Sequence, residues 1–183
     1  MAVDFFQTLG VTNLKVKINS LGDKESRENY RQALINFLTP HFDELSADSQ
    51  TRLEKNPLRV LDSKDAKDQA IVADAPSILD YLTESAQAHW DKVQTYLEAM
   101  GIDYEVDANV VRSLDYYNHT IFEVMTQSEA LGHGWTTITG GGRYNGLVEE
   151  FGGPEMPGVG FGIGLERLML LLESEGATLP EQA

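Results

Sequence analysis

Three arginines stand almost alone in the second half of this chain. Arg112 lies in Val-Arg-Ser-Leu-Asp-Tyr-Tyr (111–117), Arg143 in Gly-Gly-Gly-Arg-Tyr-Asn-Gly-Leu (140–147), and Arg167 in Gly-Val-Gly-Phe-Gly-Ile-Gly-Leu-Glu-Arg-Leu (158–168). From residue 93 onward there are fourteen Asp and Glu residues but only these three Arg and no Lys. A guanidinium is always charged and grips phosphate or carboxylate through two parallel hydrogen bonds. Twelve of the sixteen glycines fall between Gly132 and Gly164, where bare backbone can approach a ligand closely. The pattern predicts an anion held at a few defined points, with the three guanidinium groups converging on one cavity.

Each segment has its own chemistry. Arg112, Asp115, Tyr116 and Tyr117 can project from a short length of strand or turn toward one cavity. There the arginine would neutralise a phosphate or carboxylate, Asp115 would orient it, and the tyrosine hydroxyls would bond a polar substrate. The same residues also fit a structural Arg–Asp pair with tyrosines in the core. Gly140, Gly141 and Gly142 follow a β-type run, where glycines permit positive φ and close passage over a flat or anionic group. A plain glycine-rich hairpin or bulge is the alternative. Neither the dinucleotide fingerprint nor the lysine-bearing phosphate loop is met. Gly158, Gly160, Gly162 and Gly164 alternate with Val159, Phe161 and Ile163, so that a ring could lie on one face of the strand. Arg167 falls in the first turn of the helix that follows, where the dipole favours negative charge. A bound anion explains it better than helix stability does; a surface salt bridge is the competing account.

The elements that must position these residues follow from periodicity. Residues 11–18 alternate apolar with polar and predict a half-buried strand. Asp23 precedes a helix with Tyr30, Leu34, Phe37 and Leu38 on one face, closed by Pro40. A second helix is expected over 43–55, a loop with a short extended piece over 56–62, and a helix-prone stretch over 64–83 broken at Pro76. Residues 85–100 read as a periodic helix ending at Gly101, and 165–172 as an apolar one. Between them the period changes to two, with strands expected at 104–107, 120–125 and 135–139. A helical block at roughly 20–83, flanked by sheet on both sides, predicts an α+β fold: helical insertion within an antiparallel sheet.

At 183 residues with 42% hydrophobic and 23% charged content, the chain suits a globular protein with one sizeable core and an appended subdomain. No apolar run approaches the roughly 20 residues that cross a bilayer, and no secretory signal opens the chain. A cytoplasmic protein is therefore expected. Zero cysteines exclude disulfides and thiolate metal sites, and four scattered histidines lack zinc spacing. A net charge of −15 argues against nonspecific adhesion to nucleic acid. Five cations between Arg52 and Lys67 could still touch a polyanion, or simply be solvated.

Taken together, the three segments resemble the signatures of bacterial-type histidyl-tRNA synthetases, which are class II aminoacyl-tRNA synthetases. Residues 112–117 resemble the family's R-G-L-D-Y-Y, residues 140–147 its A-G-G-R-Y-D-G-L, and residues 160–168 class II motif 3. Asn19-Ser-Leu-Gly and Asn56-Pro-Leu-Arg-Val-Leu-Asp resemble its helical insertion, so that the likeness runs from about Leu9 to Leu172. Ser113, Gly140 and Asn145 depart from the usual glycine, alanine and aspartate.

The resemblance implies ATP-dependent activation of histidine to histidyl-adenylate and transfer to tRNA(His). Arg112 would be catalytic, bridging the α-phosphate and the histidine carboxylate. Tyr116, Tyr117, Tyr144, Gly141 and Gly142 would bind histidine, while Arg112, Gly164 and Arg167 would bind ATP, Arg167 at the γ-phosphate. Magnesium would accompany the nucleotide, with its ligands unknown. The insertion would approach the tRNA acceptor end, and the intact enzyme would be a homodimer. The implied layout is a core strand segment at 1–19, the insertion at 20–83, the C-terminal half of the catalytic core at 84–175 and the start of a linker at 176–183. Motifs 1 and 2 and the anticodon-binding domain have no counterpart here. This piece alone is thus expected to be inactive, with no histidine-dependent pyrophosphate exchange. Two other readings are a non-catalytic regulatory subunit of ATP phosphoribosyltransferase that binds histidine, and an RNA-binding module made from the insertion. Retention of the arginine and tyrosine signatures weighs against the first, and the acidic balance against the second.

Overall fold

The structure, a computed structural model, describes residues 1–111 and 116–176. Helix α1 (Ala2–Thr8) opens the chain, an element its short periodicity did not announce, and sinks Phe6 completely into the core. The Val11 amide still donates to the Phe6 carbonyl, so residues 11–13 belong to the exit from α1. The first strand, β1 (Leu14–Ser20), therefore starts later than the alternation suggests.

Helices α2 (Lys24–Leu38), α3 (Ala47–Lys55) and α4 (Ala66–Val72) follow, joined by 3-10 turns at Thr39–Glu44, Pro57–Val60 and Ile78–Tyr81. Two expectations are corrected here. Residues 43–46 are not helical in the α sense, because Pro40 opens a tight turn and Ser46 caps α3 by accepting from the Ser49 amide. Residues 57–60 coil where an extended piece was expected, since Pro57 starts a 3-10 turn. These helices have cores of their own: Leu38, Leu45, Leu53 and Val60 form one cluster, and Tyr30, Leu34 and Ile78 another.

The chain then returns through α5 (Glu84–Ala99), β2 (Glu105–Val106), β3 (Asn118–Gln127), β4 (Trp135–Tyr144), α6 (Leu147–Glu150), β5 (Gly158–Ile163) and α7 (Leu165–Ser174). The strands form one sheet in the order β2-β1-β3-β4-β5. All neighbours are antiparallel except β1 and β2, which are joined in parallel by the long helical excursion.

Register assigns the two faces. Ile18, Phe122, Gly141 and Phe161 lie in one row across four strands. With Val16 and Val124 they face α5 and α7, where Trp90 and Leu171 complete the main core. The adjoining rows hold Ile121, Gly142 and Gly160, then Glu123, Gly140 and Gly162. Side chains alternate along a strand, so these rows face the other way. That face carries no helix of the main core, and its floor is largely glycine.

Candidate active-site groove

On the glycine face, Tyr116, Tyr117, Tyr144 and Leu147 border a hollow of about 400 Å³ whose floor includes Gly140, Gly160 and Gly162. The three tyrosines form a cluster. The Tyr116 and Tyr117 rings lie 4.4 Å apart and tilted, and Tyr144 meets Tyr116 edge-on at 5.6 Å. The Tyr116 hydroxyl donates to that of Tyr117 at 3.2 Å. The hollow thus has an aromatic wall with hydroxyls, suited to a small planar polar group.

Gly140, Gly141 and Gly142 do not follow the strand but lie inside β4, and none has positive φ. What they supply is space. A Cβ on Gly141 would overlap the Gly160 carbonyl and Phe161, which places this glycine in the packing between strands. A Cβ on Gly142 would stand 2.9 Å from Cδ1 of Tyr117, so this glycine makes room for that ring. The Tyr144 ring lies across β5, where a Cβ on Gly158 would overlap it and one on Gly160 would sit 3.2 Å from its hydroxyl. Gly162 differs, having nothing within 4 Å of where a side chain would begin. It leaves a bare patch of floor opposite Gly140.

The other end of the groove is polar. Arg167, exposed in the first turn of α7, reaches past the end of β5 and donates from Nη1 to the Thr137 carbonyl at 2.6 Å. The Thr137 hydroxyl donates to the Glu123 carboxylate at 3.1 Å. Glu123 was not singled out in the sequence, yet a signal existed: it is the sole acidic residue in β3. Gly164 begins the same helix, with its open side toward Cβ of Arg167.

Convergence of three guanidinium groups is not what the structure presents. Arg143 and Tyr144 are adjacent in one strand, so the alternation that sends Tyr144 to the groove sends Arg143 to the helix side. There Arg143 lines a separate cavity of about 280 Å³ with His89, Val93 and Thr120, and its Nε donates to Asn145 at 2.9 Å. Burial, followed by the charge of Arg143, lowers the pKa of His89. The neighbouring His119 is also lowered, by burial and then by His89 and Arg143, its ring centroid 4.8 Å from that of His89. His119 stands in a register irregularity of β3 with φ 51, a conformation unusual for a residue with a side chain. Arg112 and Asp115 lie outside the described residues.

In the helical excursion, Arg52 is paired with Asp48 at 2.6 Å, whereas Lys55, Arg59, Lys64 and Lys67 are exposed. Among the described residues, no three His, Asp or Glu side chains come together as a metal cage. No helix of the described residues is long and apolar enough to cross a membrane.

The sequence matches the histidyl-tRNA synthetase family over residues 7–168, most of its length. The chain belongs to that family. It is 67% identical over 182 residues to the histidine–tRNA ligase of Limosilactobacillus fermentum, covering 100% of this chain and 42% of that protein. Against the ligase of Levilactobacillus brevis the identity is 64% over 181 residues, 99% of this chain and 42% of that one. This histidyl-tRNA synthetase family member also superposes on the crystal structure of apo S. aureus histidyl-tRNA synthetase with a TM-score of 0.77 and 41% identity, over 98% of this chain and 43% of that one. A Bacillus halodurans protein described as an ATP phosphoribosyltransferase regulatory subunit/histidyl-tRNA synthetase shares the fold at a TM-score of 0.54 and 22% identity. The chain spans about 42% of the length of the curated relatives it matches.

Proposed function

We propose that this chain supplies the histidine- and ATP-binding face of a histidine–tRNA ligase. One observation carries the reading: three tyrosines wall one end of a glycine-floored hollow, and Arg167 reaches the β4 backbone at Thr137, beyond the end of β5. Tyr116, Tyr117 and Tyr144 wall the imidazole side of histidine. The bare floor at Gly140 and Gly162 takes the flat nucleotide base, which only backbone without side chains allows. Arg167 takes the terminal phosphate, a bidentate task for a guanidinium.

In the reaction, a histidine carboxylate oxygen attacks the α-phosphorus of ATP. The bond to the bridging oxygen breaks, pyrophosphate leaves with that electron pair, and histidyl-adenylate remains. A terminal ribose hydroxyl of tRNA(His) then attacks the acyl carbon and releases AMP. Arg112 meets the charge developing at the α-phosphate, and the tyrosine wall and glycine floor hold the reactants in line. Magnesium brought with the nucleotide would supply neutralisation of phosphate charge, and Glu123, the one acidic side chain of β3, would be the residue on that face able to hold it.

The wider assignments belong to the same proposal. Residues 20–83 form the insertion and approach the tRNA acceptor end through Lys55, Arg59, Lys64 and Lys67. The core comprises 1–19 and 84–175, a linker begins at 176–183, and the whole enzyme works as a cytoplasmic homodimer. The retained tyrosines and Arg167 favour this reading over a regulatory paralogue that binds histidine without activating it.

Isothermal calorimetry tests it. Histidine and ATP are each expected to bind this chain, Tyr144→Phe to weaken histidine only, and Arg167→Ala to weaken ATP only. A chain that takes up neither ligand would remove the groove from the site.

A further inference from the structure

The two ends of the helical insertion meet the tyrosine segment in a polar knot. The Leu21 amide donates to the His119 carbonyl at 2.7 Å, and the His119 amide donates to the Gly22 carbonyl at 2.8 Å. One turn into α2, Arg27 donates from Nη1 to the Tyr117 carbonyl at 3.3 Å. Asp23 ties this entry to the insertion's exit: its carboxylate accepts from the amide and hydroxyl of Ser26 and from the hydroxyls of Thr83 and Ser85. The Thr83 amide in turn donates to the Ser26 hydroxyl at 2.9 Å. The end of β1, the start of α5 and the tyrosine segment are thus fastened at one point.

Tyr117 has little freedom apart from this fastening. Its side chain is buried, and its ring fills the space left by Gly142. What sets its pose is the backbone between it and His119, which sits in the left-handed region and persists there only while its surroundings hold it. Leu21 and Gly22 bond the His119 backbone and Arg27 bonds that of Tyr117, all three from the root of the insertion.

We infer that Arg27 is a positioning residue for amino-acid recognition: its bond to the Tyr117 carbonyl lets the root of the insertion set the pose of the tyrosine wall. The inference rests on the reading that Tyr117 borders histidine. It follows that whatever orients the insertion also acts on the amino-acid end of the groove, through a guanidinium–carbonyl bond of the stronger, charge-assisted kind.

Amide hydrogen exchange read by mass spectrometry, alongside calorimetry with histidine, tests this on the full chain. Arg27→Met keeps the aliphatic stem and loses the donors, and Arg27→Lys returns a charged donor. In Arg27→Met, exchange over residues 116–121 should accelerate about tenfold and histidine should bind about tenfold more weakly, with α2 and α5 exchanging as before. Arg27→Lys should recover most of both changes. Unchanged exchange over 116–121 in Arg27→Met overturns the inference, and so does an acceleration spread evenly along α2, which would report lost folding. Should the unsubstituted chain bind no histidine, the functional reading fails, and the exchange pattern alone decides the role of Arg27.

Discussion

Gly162 is the residue at which the groove can be tested without disturbing the fold. Nothing lies within 4 Å of its missing side chain, and its φ is not in the left-handed region. Gly162→Val should therefore change stability by no more than about 0.5 kcal/mol, while its branched side chain stands on the floor assigned to the nucleotide base. The expected outcome is an unchanged melting curve with ATP binding lost; ATP affinity equal to that of the parent chain would remove Gly162 from the site. Individual residues were partly legible. The glycine runs do mark close approach, and the tyrosines of the first two signatures do share one hollow. Facing was not legible, because it depends on the phase of β4 and on a register shift in β3 that no local residue pattern specifies. Arg143 was misjudged for that reason, and Glu123 was passed over.

Among the elements of the insertion, Asp68 has the most concentrated role. Fully buried, it accepts from the Ser46 amide and from the hydroxyls of Ser46, Ser49 and Ser63, which ties the start of α3 and the approach to α4 together. Burial alone would raise its pKa, but the three serines outweigh this and bring it from 3.8 down to about 2. A carboxylate depressed in the folded state stabilises at pH above its unfolded value and loses that contribution as protons return. The contribution of Asp68 to the insertion should thus be full above about pH 4 and fade progressively toward pH 2. Asp68→Asn, which cannot accept from all four donors, should cost about 2 kcal/mol at neutral pH and flatten that acid dependence, both read from circular dichroism melts across pH. An acid profile identical to that of the parent chain would mean that another group governs it. Helix α2 was legible from its cap, since Asp23 accepts from the amide three residues on, and α5 from its periodicity, with Thr83 capping it in the same way. The elements that went wrong, around residues 43–46 and 56–62, are places where proline chose 3-10 turns over the α or extended backbone that composition allows.

At the scale of the whole molecule, a helical excursion set into a sheet was readable from the switch in hydrophobic period, whereas the strand order and the parallel pairing of β1 with β2 were not. What the sequence could not convey was that the entry of the excursion locks onto the tyrosine segment, a contact between residues about ninety apart in the chain, and that its exit is tied to that entry through Asp23. Charge is also organised at this scale. The chain carries −15 overall, and against that background the insertion exposes Lys24 in α2 and a group of four, Lys55, Arg59, Lys64 and Lys67, around α3 and α4. An acceptor-stem RNA hairpin should bind with a log-affinity against log-salt slope no steeper than about −4, since roughly one counterion leaves per neutralised phosphate. A steeper slope would require basic contacts beyond these four. The two tryptophans lie on the other side of that division. Trp90 is packed in the sheet's core, and Trp135 is half exposed at the start of β4 beneath the Lys15 ammonium. Indole fluorescence consequently watches the sheet first, since neither apolar cluster of the insertion contains a tryptophan. Only Trp135 is open to a dissolved quencher, so one optical signal separates the surface of the sheet from its interior.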